Sequence, residues 1–357
     1  MTEKTSESRL SRYVSATVAG LVVILLSCLF LFSRVDTLDF AQTTPAIHSL
    51  SFSPNGELLA AGNGNREILI WNMADLTAAP VVLTGHKHIV SSVAFSPDGM
   101  TLASGGDDSK VQLWDLHNPN RAPTILSGRD RDRKNIHTVA FSHDGHWLVS
   151  VSKGSVQLWD LRNPSKKPLV ITDRQDRAGA FQAAAFSPDD QILAISSYSD
   201  VELWHMGMEE AAPLVLSANR GLISTIAFSP DGAVMVSSNV FDEISHWDLR
   251  QPDAPVQLQS FRTKGGSTYS VAISPDGALL GYGGVKGAGL FDLAQPDEIL
   301  FGFPEPNSSG QYQYRVYAVA FSPDGKFFVA GFVDGSVLLW DLTNLEAEPY
   351  IVSAATD

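Results

Sequence analysis

The chain has 357 residues, 44% of them hydrophobic and 18% charged; a chain of this composition buries a large core, which excludes extended disorder. Acids outnumber bases 39 to 25, for a formal charge of −14, and duplex nucleic acid, whose phosphates need a basic surplus, is excluded as a main partner. The single cysteine, Cys28, rules out an internal disulfide framework and any zinc site built on several thiolates.

Residues 1–12 form a short polar tail with Lys4, Arg9 and Arg12. Residues 13–32 follow without a charge, YVSATVAGLVVILLSCLFLF. Twenty residues at about 1.5 Å each match the hydrocarbon layer, so this stretch is expected to be one transmembrane helix and the chain's membrane contact. Two rival readings remain. A cleaved signal peptide has a shorter apolar run and a small-residue site. The Ile24–Cys28 stretch resembles a bacterial lipoprotein box, which would acylate Cys28, although Leu29–Phe32 stay apolar beyond it. Three bases precede the span and Arg34 alone follows it closely, which places the N-terminus in the cytoplasm. A linker over 33–46 then leads to a domain outside the cytoplasm, over 47–353, with a tail over 354–357.

That domain repeats. Phe52-Ser-Pro-Asn-Gly, Phe95-Ser-Pro-Asp-Gly, Phe141-Ser-His-Asp-Gly, Phe186-Ser-Pro-Asp-Asp, Phe228-Ser-Pro-Asp-Gly, Ile273-Ser-Pro-Asp-Gly and Phe321-Ser-Pro-Asp-Gly recur every 42–48 residues. Each is followed by an aromatic end at Trp71, Trp114, Trp159, Trp204, Trp247, Phe291 or Trp340. Within the second unit, Val90–Ser96 reads as a strand and Pro97-Asp98-Gly99 as a tight turn that needs positive φ at Gly. Met100–Ser104 and Val111–Trp114 read as the next two strands, with Pro80–Leu83 as the outer-strand type. One such sheet cannot bury both faces, but radially stacked sheets can. The fold class expected is therefore all-β, a seven-bladed β-propeller of four-stranded antiparallel blades preceded by one transmembrane helix. The repeated aromatic residues are expected between blades.

These motifs resemble the WD40-repeat family over Ile47 to about Val352. The Ser-Pro-Asp-Gly turns and the Trp-Asp-Leu-x-Asn-Pro phrases at 114–119 and 159–164 look like bacterial members. The resemblance implies a blade-locking tetrad, matched fully by His86, Ser104, Asp108 and Trp114 and partly elsewhere. It also leaves two ways to close the ring. Glu348–Val352 matches the outer strands Ala79–Leu83 and Ala212–Leu216 and is the better match, whereas Thr37–Ala41 could serve as an N-terminal outer strand.

No motif of a reaction centre, metal site or cofactor is present, so the chain reads as non-catalytic, without metal or cofactor. Gly283–Gly289 reads as a hairpin turn, Asp130–Asn135 is an incomplete calcium loop, and His143 and His146 read as turn residues. Family geometry puts the loops before each first strand on a top face and the Ser-Pro-Asp-Gly turns on the bottom. The top loops concentrate bases, among them Arg129, Arg131, Arg133, Arg174, Arg177, Arg262 and Arg315, against the acidic bottom turns. Such a top would steer an acidic or membrane-associated protein partner. The residue at the start of each first strand is His48, Ser91, His137, Gln182, Ser224, Tyr269 or Tyr317. The expected partner-binding set is His48, His137, Gln182, Tyr269 and Tyr317 with Arg129, Arg131, Arg133 and Arg177. The function read from these signs is a single-pass membrane-anchored interaction scaffold displayed outside the cytoplasm. Two alternatives are an envelope-assembly subunit and a hydrolase or lyase using His48, His137 and Tyr269. Nothing in the sequence specifies oligomeric state.

Overall fold

The computed structural model describes residues 45–126, 134–174, 181–207, 211–217, 220–263, 266–303 and 315–352. The expected span 13–32, the candidate strand 37–41 and the bases Arg129, Arg131, Arg133 and Arg177 lie outside them. Among the described residues no helix is long and apolar enough to cross a membrane; every regular element is a strand.

Blade 1 comprises β1 (Ile47–Phe52), β2 (Leu58–Asn63), β3 (Glu67–Asn72) and β4 (Val81–Thr84). Blade 2 comprises β5 (Val90–Phe95), β6 (Thr101–Gly106), β7 (Val111–Asp115) and β8 (Thr124–Leu126). Blade 3 holds β9 (Ile136–Phe141), β10 (Trp147–Ser152), β11 (Ser155–Asp160) and β12 (Leu169–Asp173). Blade 4 holds β13 (Ala184–Phe186), β14 (Ile192–Ser197), β15 (Asp200–His205) and β16 (Leu214–Leu216). Blade 5 has β17 (Ile223–Phe228), β18 (Val234–Asn239), β19 (Glu243–Asp248) and an outer edge split into β20 (Val256–Gln257) and β21 (Phe261–Arg262). Blade 6 has β22 (Thr268–Ile273), β23 (Leu279–Gly284), β24 (Gly287–Asp292) and β25 (Gln295–Phe303). Blade 7 has β26 (Val316–Phe321), β27 (Phe327–Phe332), β28 (Val337–Asp341) and β29 (Tyr350–Val352). Each blade is an antiparallel meander in chain order. The outer strand of blade 7 is therefore the C-terminal Tyr350–Val352, paired with Val337–Leu339.

The apolar core divides by seam. One cluster joins Ala60, Ile68 and Leu83 of blade 1 to Val93, Leu102 and Trp114 of blade 2. Corresponding clusters lie between blades 2 and 3, 3 and 4, 4 and 5, 5 and 6, and 6 and 7. A further cluster joins Ile47, Leu59 and Trp71 of blade 1 to Val329, Leu339 and Val352 of blade 7. That seam closes the ring. Six of the seven repeated aromatic residues are 1–4% exposed, and Trp204 is half-buried. Close approach at the seams needs glycine. A β-carbon on Gly331 would lie 2.4 Å from Ile47 Cγ2, and one on Gly105 would lie 2.5 Å from Ile136 Cγ2, so the β-branched side chain of one blade fills the space left by the next blade's missing side chain.

The bottom turns explain their own motif. In each, a buried serine hydroxyl accepts the backbone N–H five residues on, as Thr101 N–H to Ser96 Oγ at 2.9 Å. The same hydroxyl donates to the turn carboxylate, Ser96 to Asp98 and Ser142 to Asp144. The turn glycine takes positive φ, +69° at Gly99. Prolines then meet the neighbouring turn: β-carbons on Gly99, Gly145, Gly232, Gly325 and Gly56 would stand 3.5–3.9 Å from Pro54, Pro97, Pro188, Pro275 and Pro323. Between blades 3 and 4 the pair is different. His143 replaces the proline and Asp190, at φ +56°, replaces the glycine. The backbone N–H groups of His143 and Asp144 both donate to the Asp190 carboxylate at 2.8 Å, and the His143 ring lies against it at 3.0 Å.

Blade 1 lacks one polar partner. Trp114, Trp159 and Trp247 donate their indole N–H to Ser104, Ser150 and Ser237. The register puts Ala61, two residues beyond the Leu59 that faces Trp71, at the position Ser104 holds in blade 2, and the buried Trp71 Nε1 has no hydrogen-bond partner among the described residues. Ala61→Ser is expected to stabilise the domain by about 1 kcal/mol by supplying the acceptor. A denaturation midpoint left unchanged would show that this indole already has an acceptor.

Candidate functional site

The inner strands of the blades surround the axis, and their upper ends carry a shared irregularity. In blades 1, 2, 3, 5, 6 and 7 the ladder between first and second strands slips by one residue at that end. The extra residue is His48, Ser91, His137, Ser224, Tyr269 or Tyr317, each a member of the column expected from sequence. A β-bulge removes a residue from the ladder and re-aims its side chain. Blade 4 differs. Gln182 does not start its strand, because β13 begins only at Ala184. Its backbone is held instead by Ser196 Oγ, which accepts the N–H groups of Gln182 and Ala183 at 2.9 Å, while Thr138 Oγ1 donates to the Gln182 carbonyl at 2.8 Å.

The column forms a continuous aromatic arc over three blades. The His48 ring stacks on Tyr317 at 5.3 Å and 14°, and Tyr317 meets Tyr269 at 5.2 Å. Neighbouring blades can bring these rings together only at the axis. Across the channel mouth the smaller members are tied down. Ser91 donates to Asp107 at 3.1 Å, and Ser224 donates to the Thr268 carbonyl at 2.6 Å. Burial pushes the Asp107 carboxyl above the ordinary range, against the Ser91 bond and the nearby His88. Burial also raises the Tyr269 hydroxyl, beside Arg315 and Tyr317. Both ring histidines sit low. Burial takes His48 down to about 4; burial, then the charge of Lys153, takes His137 to about 4.

The last fact sets the sign of an acid effect. A folded pKa near 4, below the unfolded value of about 6.5, means that only the unfolded chain takes up these protons as pH falls. Stability is fully present above about 6.5 and is lost as pH drops toward 4. His137→Gln is expected to reduce that loss by about 1–2 kcal/mol. Urea midpoints across the interval check it; an equal slope in both proteins would show that His137 already takes its proton in the folded state.

Two bases expected on the top face are engaged. Arg174 reaches across the seam between blades 3 and 4 and pairs with Glu202 at 2.5 Å, and Arg262 pairs with Asp242 at 3.3 Å. Glu202 is 3% exposed and was not singled out in the sequence. Its one signal is that it replaces the Gln112 and Gln157 of the preceding repeats. It also accepts the Trp204 indole N–H at 3.2 Å, because Ile195 stands where blades 2, 3 and 5 have the acceptor serine.

The tetrad of blade 2 is assembled. His86 Nδ1 lies 3.0 Å from Asp108, His86 Nε2 lies 2.7 Å from Ser104 Oγ, and Trp114 Nε1 donates to the same hydroxyl at 2.8 Å. Burial pushes the Asp108 carboxyl up, but bonds from His86 and the Lys87 and Lys110 backbones outweigh it, leaving the group below its usual range. These are the distances of a serine hydrolase triad. However, Ser104 is 0% exposed and its oxygen is occupied by the indole, so this hydroxyl cannot meet a substrate. Among the described residues no three His, Cys, Asp or Glu side chains are placed to hold a metal ion.

A sequence model for "WD domain, G-beta repeat" matches residues 33–72, 80–115, 123–160 and 306–341. The chain carries WD40 repeats. The matched stretches end on the third strands of blades 1, 2, 3 and 7. The unmatched WD40-like blades 4–6 are those with Asp190 for the turn glycine, His246 before Trp247, and Phe291 for the tryptophan. Telomerase Cajal body protein 1 of Mus musculus and its counterpart in Mesocricetus auratus are each 32% identical over 127 residues, covering 34% of this chain and 22% of the relative. Cross-pathway control WD-repeat protein 2 of Flammulina velutipes is 26% identical over 127 residues, covering 35% of this chain and 39% of the relative. The match thus spans between about a fifth and two fifths of the length of these relatives. None of the three is bacterial, and these relatives do not support the bacterial type expected from the turns and the Trp-Asp-Leu-x-Asn-Pro phrases.

Proposed function

We propose that this WD40 propeller is a non-catalytic scaffold, anchored in the cell membrane through residues 13–32, that offers its upper channel mouth to a protein partner outside the cytoplasm. The carrying observation is the aromatic arc Tyr269–Tyr317–His48 mounted on consecutive bulges. Aromatic bodies with hydrogen-bonding tips are the usual anchors of protein interfaces. Arg315 beside Tyr269 and Lys153 beside His137 add local positive charge on an acidic chain, and screening over about 8 Å keeps that field local. In sequence, Arg129, Arg131 and Arg133 precede the first strand of blade 3 and Arg177 precedes that of blade 4; an acidic or membrane-associated partner fits a basic set of this kind. The base asymmetry around residues 13–32 supports the orientation.

The test is crosslinking in membranes followed by mass spectrometry of captured proteins. Capture should fall about ten-fold in Tyr269→Ser/Tyr317→Ser and persist when Asp231, Asp276 and Asp324 are reversed. Loss confined to the bottom set would make the acidic face the working surface. A reporter fused after Asp357 and active only in the cytoplasm would overturn the orientation. One feature favours the envelope-assembly alternative: the outer strands of adjacent blades 1 and 7 expose Val81, Val82, Tyr350 and Ile351 at 47–70%. A stoichiometric complex that survives loss of the aromatic arc but not Ile351→Asp would select that reading.

A further inference from the structure

A cleft of about 480 Å³ opens on the bottom edge between blades 2 and 3. Its floor is apolar, formed by half-buried Leu113, Phe141 and Leu161, and each blade contributes one carboxylate to its rim, Asp98 and Asp144. No cation lines it. The turns use only part of each carboxylate. Asp98 Oδ1 accepts from Ser96 and the Met100 N–H, while its second oxygen accepts no bond among the described residues. Asp144 Oδ1 accepts from Ser142 and the His146 N–H, and its second oxygen faces the exposed His146 ring at 2.9 Å. Hydrogen bonds from Ser96 and Met100 hold the Asp98 carboxyl below the ordinary range, so it carries its charge at neutral pH.

We infer that this cleft is a second binding site, separate from the channel mouth, that takes an arginine side chain from an extended segment of a partner protein. An apolar floor between two carboxylates suits a flat cation with an apolar stem. The propyl stem and the face of a guanidinium cover Phe141 and the leucines, while its edge donates to both rims, which a compact ammonium cannot do as well. The chain builds the same combination beside the cleft, where Arg162 pairs with Asp160 at 2.8 Å and lies 5.3 Å over the Trp147 ring. A cation here also relieves the repulsion of the acidic bottom ring, which no other lining residue does.

The test uses the full chain in detergent and a fluorescein-labelled pentapeptide, glycine–leucine–arginine–leucine–glycine, read by anisotropy. A twin peptide carries citrulline, which keeps the shape and removes the charge. Saturable binding is expected for the arginine peptide, weakened about ten-fold or more by citrulline. Asp98→Asn/Asp144→Asn should weaken it by a similar factor. This pair preserves the turns, since Asn55 already accepts from Ser53 at 2.7 Å in blade 1. Thr101→Arg, which supplies a cation from the cleft wall, should block the peptide. Asp231→Asn/Asp276→Asn removes equal charge from the same face elsewhere and should change affinity less than about two-fold. Equal loss in that control pair, equal binding of the citrulline peptide, or no saturable binding overturns the inference. None of these outcomes bears on the aromatic arc, whose variants are read by partner capture.

Discussion

Trp114→Ala is expected to destabilise the domain by about 3–5 kcal/mol, the range for large core truncations. Trp114 is 3% exposed and packs in the seam with Ala60, Ile68 and Leu83 of blade 1. Removing the ring opens a cavity between two rigid sheets, which cannot collapse without breaking their ladders. It also strips Ser104 of its indole donor inside a buried chain of hydrogen bonds to His86 and Asp108. Asp108→Ala leaves the packing and breaks only that chain, and should cost about 1–3 kcal/mol. Trp204→Ala provides the internal comparison: its ring is half-buried, so its loss should be clearly smaller than that of Trp114. Chemical denaturation midpoints decide the order, and equal losses for Trp114 and Trp204 would refute the seam argument.

Arg174→Ala should cost about 2–3 kcal/mol, at or just below the roughly 3–5 kcal/mol for breaking a fully buried pair, because the arginine end remains partly wet. What makes the loss large is the partner left behind. Among the described residues, Glu202 then keeps a buried carboxylate with a single indole donor. Adding Glu202→Gln removes that charge, retains an acceptor for Trp204, and restores the residue type of Gln112 and Gln157. The double variant should therefore recover most of the loss. A double variant as unstable as Arg174→Ala alone would show that the arginine acts by packing rather than by charge.

The repeat, its turns, the inter-blade aromatic residues and the C-terminal outer strand were legible because each is local and recurs with a fixed period. The tetrad of blade 2 was legible only through the resemblance to WD40 repeats, since it is complete in a single repeat. The column at the channel mouth was legible as an alignment, but not the bulges that present it. A single slipped residue leaves no trace in the alternation of apolar and polar positions, and Gln182 looked like any other member. The Arg174–Glu202 pair joins two repeats through one departure in each, which no single-repeat pattern contains. His143 and Asp190 teach the same lesson. Each reads alone as a defect in a turn, yet the histidine restores an N–H that proline lacks, and the aspartate next door accepts it. Seam contacts are long-range in sequence, and only the folded ring pairs them.

The seam that joins blade 1 to blade 7 has a consequence for synthesis. Open repeat arrays protect their ends with polar capping units; this ring instead brings its first and seventh blades together. Ile47, Leu59 and Trp71 leave the ribosome first among the repeats, while their cover, including Val352, leaves last. Throughout translation the nascent chain displays an uncovered apolar blade face, a surface on which incomplete chains aggregate or recruit chaperones. A message that stopped before the codon for Tyr350 would leave that face permanently short of its final strand, so closure of the ring depends on the outer strand of its seventh blade.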